Sequence, residues 1–132
     1  MNYELLLRER HMKVTPQRLG ILTLMHNCGH ISVEDMYEEI KKQFSSISLA
    51  TLYKNVNAMI GASLVKEVKI PHTKSKYEII KTPHAHLMCE SCGTLEDFDM
   101  DIGKIEDILQ SKSKFKVNET DLIFTGLCQK CQ

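Results

Sequence analysis

The sequence predicts an α+β chain made of two small domains, and three observations lead to that prediction. Apolar residues recur at helical spacing up to residue 60, and short strand-like runs follow. The length of 132 residues suits one ordinary domain or two small ones. Charge and cysteine are unevenly distributed. Residues 1–80 contain 11 Lys+Arg and 8 Asp+Glu, residues 81–132 contain 6 and 9, and four of the five cysteines lie after residue 88.

Composition excludes several classes of protein. The chain has 26% charged and 42% hydrophobic residues, which is close to the average of globular proteins and unlike a disordered chain. No apolar run approaches the roughly 18–20 residues of a membrane-spanning helix, so we expect no membrane partner. The first residues are partly acidic and contain only a three-leucine run, where a signal peptide has a longer apolar core. We therefore expect a cytoplasmic protein.

The first two predicted helices lie before residue 30. The first runs from Tyr3 to about Arg10. The second begins at Pro16 with Thr15 as its cap, because proline at the first helical position lacks only an N–H that has no helical partner there. Gly29 ends this helix. Cys28, just before it, is expected to be a small buried residue.

Two further helices are marked by serine caps. Ser32 is followed three residues later by Asp35, which resembles a capping box. Ser48 caps a helix that extends to about Ile60 and ends at Gly61. The residues expected to face inward on this fourth helix are Leu49, Leu52, Val56, Met59 and Ile60.

A predicted β-hairpin completes the first domain. Residues 64–70 and 76–80 read as strands, joined by a polar connection at 71–75. Helices followed by a β-hairpin in about 80 residues are the order of a winged helix-turn-helix module, whose recognition element would be the fourth helix. We assign residues 1–81 to this DNA-binding domain and 82–84 to a linker.

Residues 85–132 predict a small α/β domain. Its expected strands lie at about 84–89, 94–98 and 122–127, and its helix at about 101–111. A domain of about 50 residues usually needs a metal, a covalent link or a partner chain for stability.

Two Cys-x-x-Cys pairs supply a candidate metal site in this domain. They are formed by Cys89 with Cys92 and by Cys128 with Cys131, and 35 residues separate them. Each pair places two thiolates on one turn, which suits two corners of a tetrahedral Zn²⁺ site without an open position. Disulfides are the alternative, but the expected compartment favours structural zinc.

A second candidate site has harder ligands. His84 and His86 lie two residues apart on a predicted strand, so both imidazoles point to the same face. Glu78 lies upstream and Asp97 downstream, and imidazoles with carboxylates suit Fe²⁺, Mn²⁺ or Zn²⁺. The alternative is a pair of surface histidines. Since Glu78 belongs to the first domain, one ion bound by all four residues would fix the angle between the domains.

Four motifs occur in order along the chain. They are Thr15-Pro16-Gln17-Arg18, Ser48-x-x-Thr51-x-Tyr53-Lys54, His84-x-His86-x-x-Cys89-x-x-Cys92-Gly93 and the terminal Cys128-x-x-Cys131. Together they resemble the Fur family of metal-responsive bacterial transcription regulators. The resemblance implies a homodimer with an N-terminal winged helix and a C-terminal dimerisation domain. It also implies a structural Cys₄ zinc and a regulatory Fe²⁺ or Mn²⁺ that joins the two domains.

The resemblance also implies which residues bind the regulatory ion. Position by position they are His30, Glu78, His84, His86 and Asp97. Without the resemblance, a lone histidine ahead of a helix, such as His30, reads as a turn residue.

The sub-type is indicated by two of these ligands. Asp97 resembles the peroxide-sensing PerR branch, whereas Glu78 departs from it, because PerR-like proteins usually have Asp there. In that branch Fe²⁺ reacts with hydrogen peroxide and a histidine ligand is oxidised, for which the matching residues are His30 and His84. Mn²⁺ does not carry out this chemistry. A regulator that senses the level of iron is the alternative.

A zinc enzyme is a further alternative, of a different class. Zinc deaminases have His-x-Glu ahead of Pro-Cys-x-x-Cys. This chain has His84-Ala-His86, and Met88 precedes the first cysteine pair. We therefore expect no enzymatic activity.

Double-stranded DNA is the expected partner. On the fourth helix, the resemblance places Tyr53 at thymine methyl groups and Lys54 at bases or phosphates; a half-buried helix aromatic is the alternative for Tyr53. Lys13 matches a residue that enters the minor groove, and Arg18 is expected to reach a phosphate. A two-fold dimer requires an inverted-repeat operator. The complete set of expected DNA contacts is Lys13, Arg18, Thr51, Tyr53, Lys54 and Asn55.

Overall fold

The structure is a computed structural model that describes residues 2–132. The chain divides into two compact units, the first ending at Ile80 and the second spanning Lys81–Gln132. Helices dominate the first unit and a small sheet dominates the second, which confirms the predicted α+β class. Among the described residues, no helix has both the length and the apolar character to cross a bilayer.

The first unit has the element order of a winged helix-turn-helix module. Its two strands pair antiparallel, with Val65 opposite Ile79. The hairpin follows four helices, as the sequence predicts. The elements are α1 (Tyr3–Glu9), α2 (Pro16–Cys28), α3 (Val33–Gln43), α4 (Leu49–Gly61), β1 (Val65–Val68) and β2 (Lys76–Ile79).

Local side-chain caps fix the starts of three helices. The hydroxyls of Thr15, Ser32 and Ser48 each accept a hydrogen bond from the backbone N–H three residues later, at 3.2, 3.2 and 3.0 Å. Each bond satisfies a donor that has no partner inside the helix. Gly29 ends α2 with φ of +76°, a backbone conformation that favours glycine.

The core of the first unit lies among its helices and the start of the hairpin. Leu22, Leu52 and Met59 are fully buried there. Leu49, predicted to face inward, is 43% exposed. It is the first residue of α4, so the inward stripe begins one turn later, at Leu52. The prediction for Cys28 is also wrong: it is exposed at the end of α2.

The second unit is a three-stranded sheet with one helix. The central strand β3 pairs antiparallel with β4 on one side and parallel with β5 on the other. The parallel pairing carries the end of the chain back alongside β3. The elements are β3 (Ala85–Cys89), β4 (Leu95–Phe98), α5 (Ile102–Ser113), β5 (Ile123–Gly126) and a 3₁₀ turn (Gln129–Cys131).

Much apolar surface of the second unit remains uncovered. Ile102, Ile105, Ile108 and Leu109 recur at helical spacing on α5, but of these four only Ile102 is buried, and Ile108 is 58% exposed. Phe115 and Phe124 are exposed as well. Exposed apolar side chains, when they are contiguous, are typical of surfaces that bind another chain.

Shortening Leu52 to alanine tests the core of the first unit. Leu52→Ala removes a fully buried side chain and should lower the free energy of unfolding by about 2–5 kcal/mol. Leu49→Ala, the matched control on the same helix, should cost less than about 1 kcal/mol because Leu49 is half exposed. Urea unfolding followed by circular dichroism measures both. Equal losses would contradict this account of α4.

Candidate metal centres

The four cysteines of the second unit form a compact cluster of sulfurs. All four Sγ atoms lie within 4.8 Å of one another, and Cys92 Sγ lies 3.8 Å from Cys128 Sγ. Four sulfurs placed tetrahedrally at about 2.3 Å from Zn²⁺ are about 3.8 Å apart, whereas disulfide sulfurs are bonded at about 2.05 Å. All four thiols are free. The arrangement fits a structural zinc ion.

The fold brings the two pairs together through β3 and β5. Cys89 is the last residue of β3, and the turn after it closes through a 2.9 Å hydrogen bond from the Gly93 N–H to the Cys89 carbonyl. Gly93 has φ of +76°, so a side chain there would strain the turn. On the other strand Gly126 is the parallel partner of Cys89. The second pair, in the 3₁₀ turn that follows, therefore reaches the first.

Backbone hydrogen bonds favour a thiolate at Cys89. Its Sγ accepts from the N–H of Cys128 at 3.4 Å and from the N–H of Cys92 at 3.5 Å. These bonds lower the pKa of Cys89 to about 6. The hydrogen bond with the Cys128 side chain raises the pKa of Cys131 to about 12. Metal binding requires all four thiols as thiolates, so a bound ion would displace the remaining protons.

The first unit holds His30 against Glu78. His30 Nε2 and Glu78 Oε2 are 2.9 Å apart, and Glu78 is only 3% exposed. An isolated β-bridge sets this placement. Ile31 and Tyr77 exchange backbone hydrogen bonds of 3.2 and 2.8 Å, and this pairing brings His30, the residue before Ile31, beside β2. Burying a carboxylate is costly without a compensating partner. The His30 imidazole is the partner of the Glu78 carboxylate, and both are groups of the kind that bind divalent metal ions.

The second unit has its own set of nitrogen and oxygen ligands. His84 Nε2 lies 3.1 Å from His86 Nε2, and Asp97 Oδ1 lies 3.3 and 3.5 Å from these two nitrogens. The sheet sets part of this geometry, because His86 on β3 is the cross-strand partner of Asp97 on β4. Two nitrogens bound at right angles to one ion at about 2.1 Å are about 3.0 Å apart. The set fits a divalent ion.

Two contacts hold this second set in place. His84 Nδ1 lies 2.9 Å from the Thr82 carbonyl, and an N–H there leaves Nε2 with its lone pair for a metal. The Lys81 ammonium contacts Asp97 Oδ2, the carboxylate oxygen other than the one near the histidines. Sequence reasoning missed Lys81, because nothing in its spacing from residue 97 marks a contact.

The residues predicted to contact DNA all belong to the first unit. Tyr53, at 39% exposure, and Lys54 lie on the outward side of α4, and the exposure of Tyr53 is compatible both with a DNA contact and with the half-buried alternative. Arg18 and Asn55 are half-buried and bonded to each other, with Arg18 Nε donating to Asn55 Oδ1 at 3.1 Å. Sequence spacing gave no sign of that bond. The two remaining residues are Lys13, which is exposed ahead of α2, and Thr51, which is half-buried on α4.

Comparison with known proteins gives a consistent family. The Ferric uptake regulator family matches residues 9–125 of the chain. The peroxide operon regulator of Bacillus subtilis is 32% identical over 127 residues, which are 95% of this chain and 88% of that protein.

Solved structures agree with the sequence matches. The Campylobacter jejuni peroxide stress regulator is similar with a TM-score of 0.78 and 34% identity, over 99% of this chain and 100% of that one. The Vibrio cholerae ferric uptake regulator has a TM-score of 0.78 and 29% identity, over 96% and 100%. These matches confirm the predicted fold and a regulatory rather than enzymatic role. The chain belongs to the Ferric uptake regulator family of metal-responsive transcription regulators.

Proposed function

We propose that this protein is a peroxide-sensing regulator, most simply a repressor, whose DNA binding depends on one regulatory Fe²⁺ or Mn²⁺. The observation that carries the proposal is that each unit holds its own preformed nitrogen and oxygen ligands. Neither set alone fills the coordination shell that such an ion prefers. One ion would take ligands from both, and they are His30, Glu78, His84, His86 and Asp97.

A separate structural Zn²⁺ belongs to the same proposal. Cys89, Cys92, Cys128 and Cys131 would hold it, and their sulfur spacing supports this assignment. The ion would join the end of β3 to the end of the chain, which a unit of this size needs for stability. Soft thiolates favour Zn²⁺, whereas the harder nitrogen and oxygen ligands suit Fe²⁺ or Mn²⁺, so each ion would select its own site.

The names of two relatives and the ligand Asp97 support peroxide as the signal. The similar proteins of Bacillus subtilis and Campylobacter jejuni are a peroxide operon regulator and a peroxide stress regulator. Bound Fe²⁺ would supply the chemistry that reduces peroxide and oxidises a neighbouring imidazole. His30 and His84, whose side chains are mostly buried, are the imidazoles proposed to take up the oxygen. Losing a ligand would weaken the site.

The ion would act on DNA binding by shifting a population of domain arrangements. Metal would favour the arrangement whose recognition helices match the operator. Metal and DNA would then strengthen each other's binding by the same factor. Oxidation of a ligand would lower the affinity for metal and, by this linkage, the affinity for DNA.

The DNA and the partner chain follow from the surfaces of the two units. Lys13, Tyr53 and Lys54 are exposed on the first unit and would contact DNA, with Arg18, Thr51 and Asn55 beside them. The uncovered apolar residues of the second unit would be buried in a homodimer. A two-fold dimer would select an inverted-repeat operator.

Sensing of iron level is the second candidate. Glu78 differs from the Asp usual in PerR-like proteins, and the ferric uptake regulator of Vibrio cholerae is similar in structure at 29% identity. Under this alternative the same ligands would bind iron reversibly and no histidine would be oxidised.

Replacing one zinc ligand tests the cysteine cluster. Cys89→Ser should abolish zinc binding and unfold the second unit, because metal binding supplies folding free energy. Cys28→Ser is the matched control, since Cys28 is exposed in the other unit and should leave zinc content and melting temperature unchanged. Elemental analysis and thermal unfolding measure both. A fully folded Cys89→Ser protein without zinc would refute the structural role.

Replacing one regulatory ligand tests the second site. His84→Ala should weaken Mn²⁺ binding by about 100-fold or more and abolish Mn²⁺-dependent DNA binding, while zinc content and the dimer persist. His72→Ala, in the exposed turn between β1 and β2, is the control and should bind Mn²⁺ normally. Calorimetric titration and gel shift report the two effects. Unchanged Mn²⁺ affinity in His84→Ala would exclude this ligand set.

Peroxide treatment separates the two candidate signals. Anaerobic loading with Fe²⁺ followed by stoichiometric hydrogen peroxide should add one oxygen atom to His30 or His84 and release DNA. Loading with Mn²⁺ should prevent both, and exposed His72 should stay unmodified. Peptide mass spectrometry locates the added oxygen. Unmodified histidines with DNA still bound would favour sensing of iron level.

A further inference from the structure

We propose that Arg18 is a positioning residue that holds the segment at Lys13 in register with α4, and is not a phosphate contact. This inference deepens the proposed DNA binding and rests on it. Lys13 and α4 are the two elements proposed to read DNA, and both must fit the duplex at once. The evidence is a chain of hydrogen bonds that connects them through the guanidinium of Arg18.

The Arg18 guanidinium bonds to both elements. Its Nε donates to Asn55 Oδ1 on α4 at 3.1 Å, and its Nη1 donates to the Lys13 carbonyl at 2.8 Å. A guanidinium is planar and rigid, so two such bonds fix the direction of each acceptor relative to the other. Hydrogen bonds from a charged donor are also about twice as strong as neutral ones. Arg18 therefore links the segment at Lys13 to Asn55 on α4, which lies 37 residues after Arg18 in the sequence.

Asn55 is itself held in the orientation that this link needs. Its Nδ2 donates to the Thr51 carbonyl at 3.1 Å, one turn earlier on α4. With the amide nitrogen engaged there, the amide oxygen is directed toward Arg18. Both Arg18 and Asn55 are half-buried, as expected for an internal link.

Lys13 needs such a link because no helix or strand fixes it. It lies in the connection between α1 and α2, while its side chain is exposed. The bond from Arg18 restrains its backbone carbonyl. A DNA contact by Lys13 adds affinity only when α4 fits its own groove at the same time. Loosening this restraint should therefore reduce DNA affinity even though no protein–DNA bond is removed.

Salt dependence separates positioning from phosphate contact. The probe is a duplex selected from a random pool by the full-length Mn²⁺-loaded protein, and affinities are measured by fluorescence anisotropy at several salt concentrations. Arg18→Met and Arg18→Lys should each weaken binding about tenfold, because lysine cannot form both bonds. The slope of log affinity against log salt should be the same for Arg18→Met as for Arg18→Lys, because both displace Lys13 equally and the charge of Arg18 itself touches no phosphate. If Arg18 contacts a phosphate, Arg18→Lys retains affinity and Arg18→Met lowers the slope by about 0.9; that result overturns the inference.

A double-mutant cycle with Lys13 tests the link directly. Lys13→Ala should weaken binding about tenfold in the natural protein but less than about twofold in Arg18→Met, because Lys13 is then already misplaced. Lys54→Ala, on α4 itself, is the matched control and should cost the same in both backgrounds. A loss of general stability would not create this selective coupling. Additive losses for Lys13 and Arg18 would overturn the inference.

Asn55→Ala breaks the same link from its other end. It should reproduce the affinity loss of Arg18→Met, and the double variant should be no weaker than either single variant. It keeps Arg18 and its charge, so it gives a result even if Arg18→Met folds poorly. Normal affinity in Asn55→Ala would contradict the link. Failure of the natural protein to select any duplex with Mn²⁺ would instead refute the proposed function, and the inference with it.

Discussion

The register of β3 is the constraint on which both clusters of candidate ligands in the second unit depend. The strand is held on one side by β4 and on the other by β5. Through the first pairing His86 lies opposite Asp97, and through the second Cys89 lies opposite Gly126. A one-residue slip would turn every side chain of β3 to the other face. The register thus places both Cys89 of the sulfur cluster and the imidazole of His86.

Burial of polar side chains is the second feature that the structure shares between its units. Glu78 and His86 are almost fully buried, where an apolar residue would be less costly. Each has a polar neighbour: His30 for Glu78 and Asp97 for His86. Local rules of folding are commonly broken at functional sites, where the cost is compensated elsewhere. The burial of Glu78 and His86 is therefore more consistent with a functional role than with stability alone.

Features that depend on neighbours within one turn were predictable from the sequence. The caps at Thr15 and Ser48 mark helix starts because the hydroxyl bonds an N–H three residues away. Cys89 and Cys92 are likewise only three residues apart, so the sequence alone predicts that one turn places both thiols at a metal site. The alternation of His84 and His86 likewise follows from strand geometry. Family resemblance, and not local pattern, was needed for His30.

Only the tertiary structure decided which distant residues meet. The sequence predicted β3 and β5 but not that they pair in parallel, because strand order depends on how the whole sheet packs. The same holds for Arg18 beside Asn55, which are far apart in sequence. The contact of His30 with Glu78 was implied by the family resemblance but by no local pattern. A local sequence pattern indicates which kind of contact or ligand a residue can provide. The partner that it finds is set by long-range packing, which no window of the sequence contains.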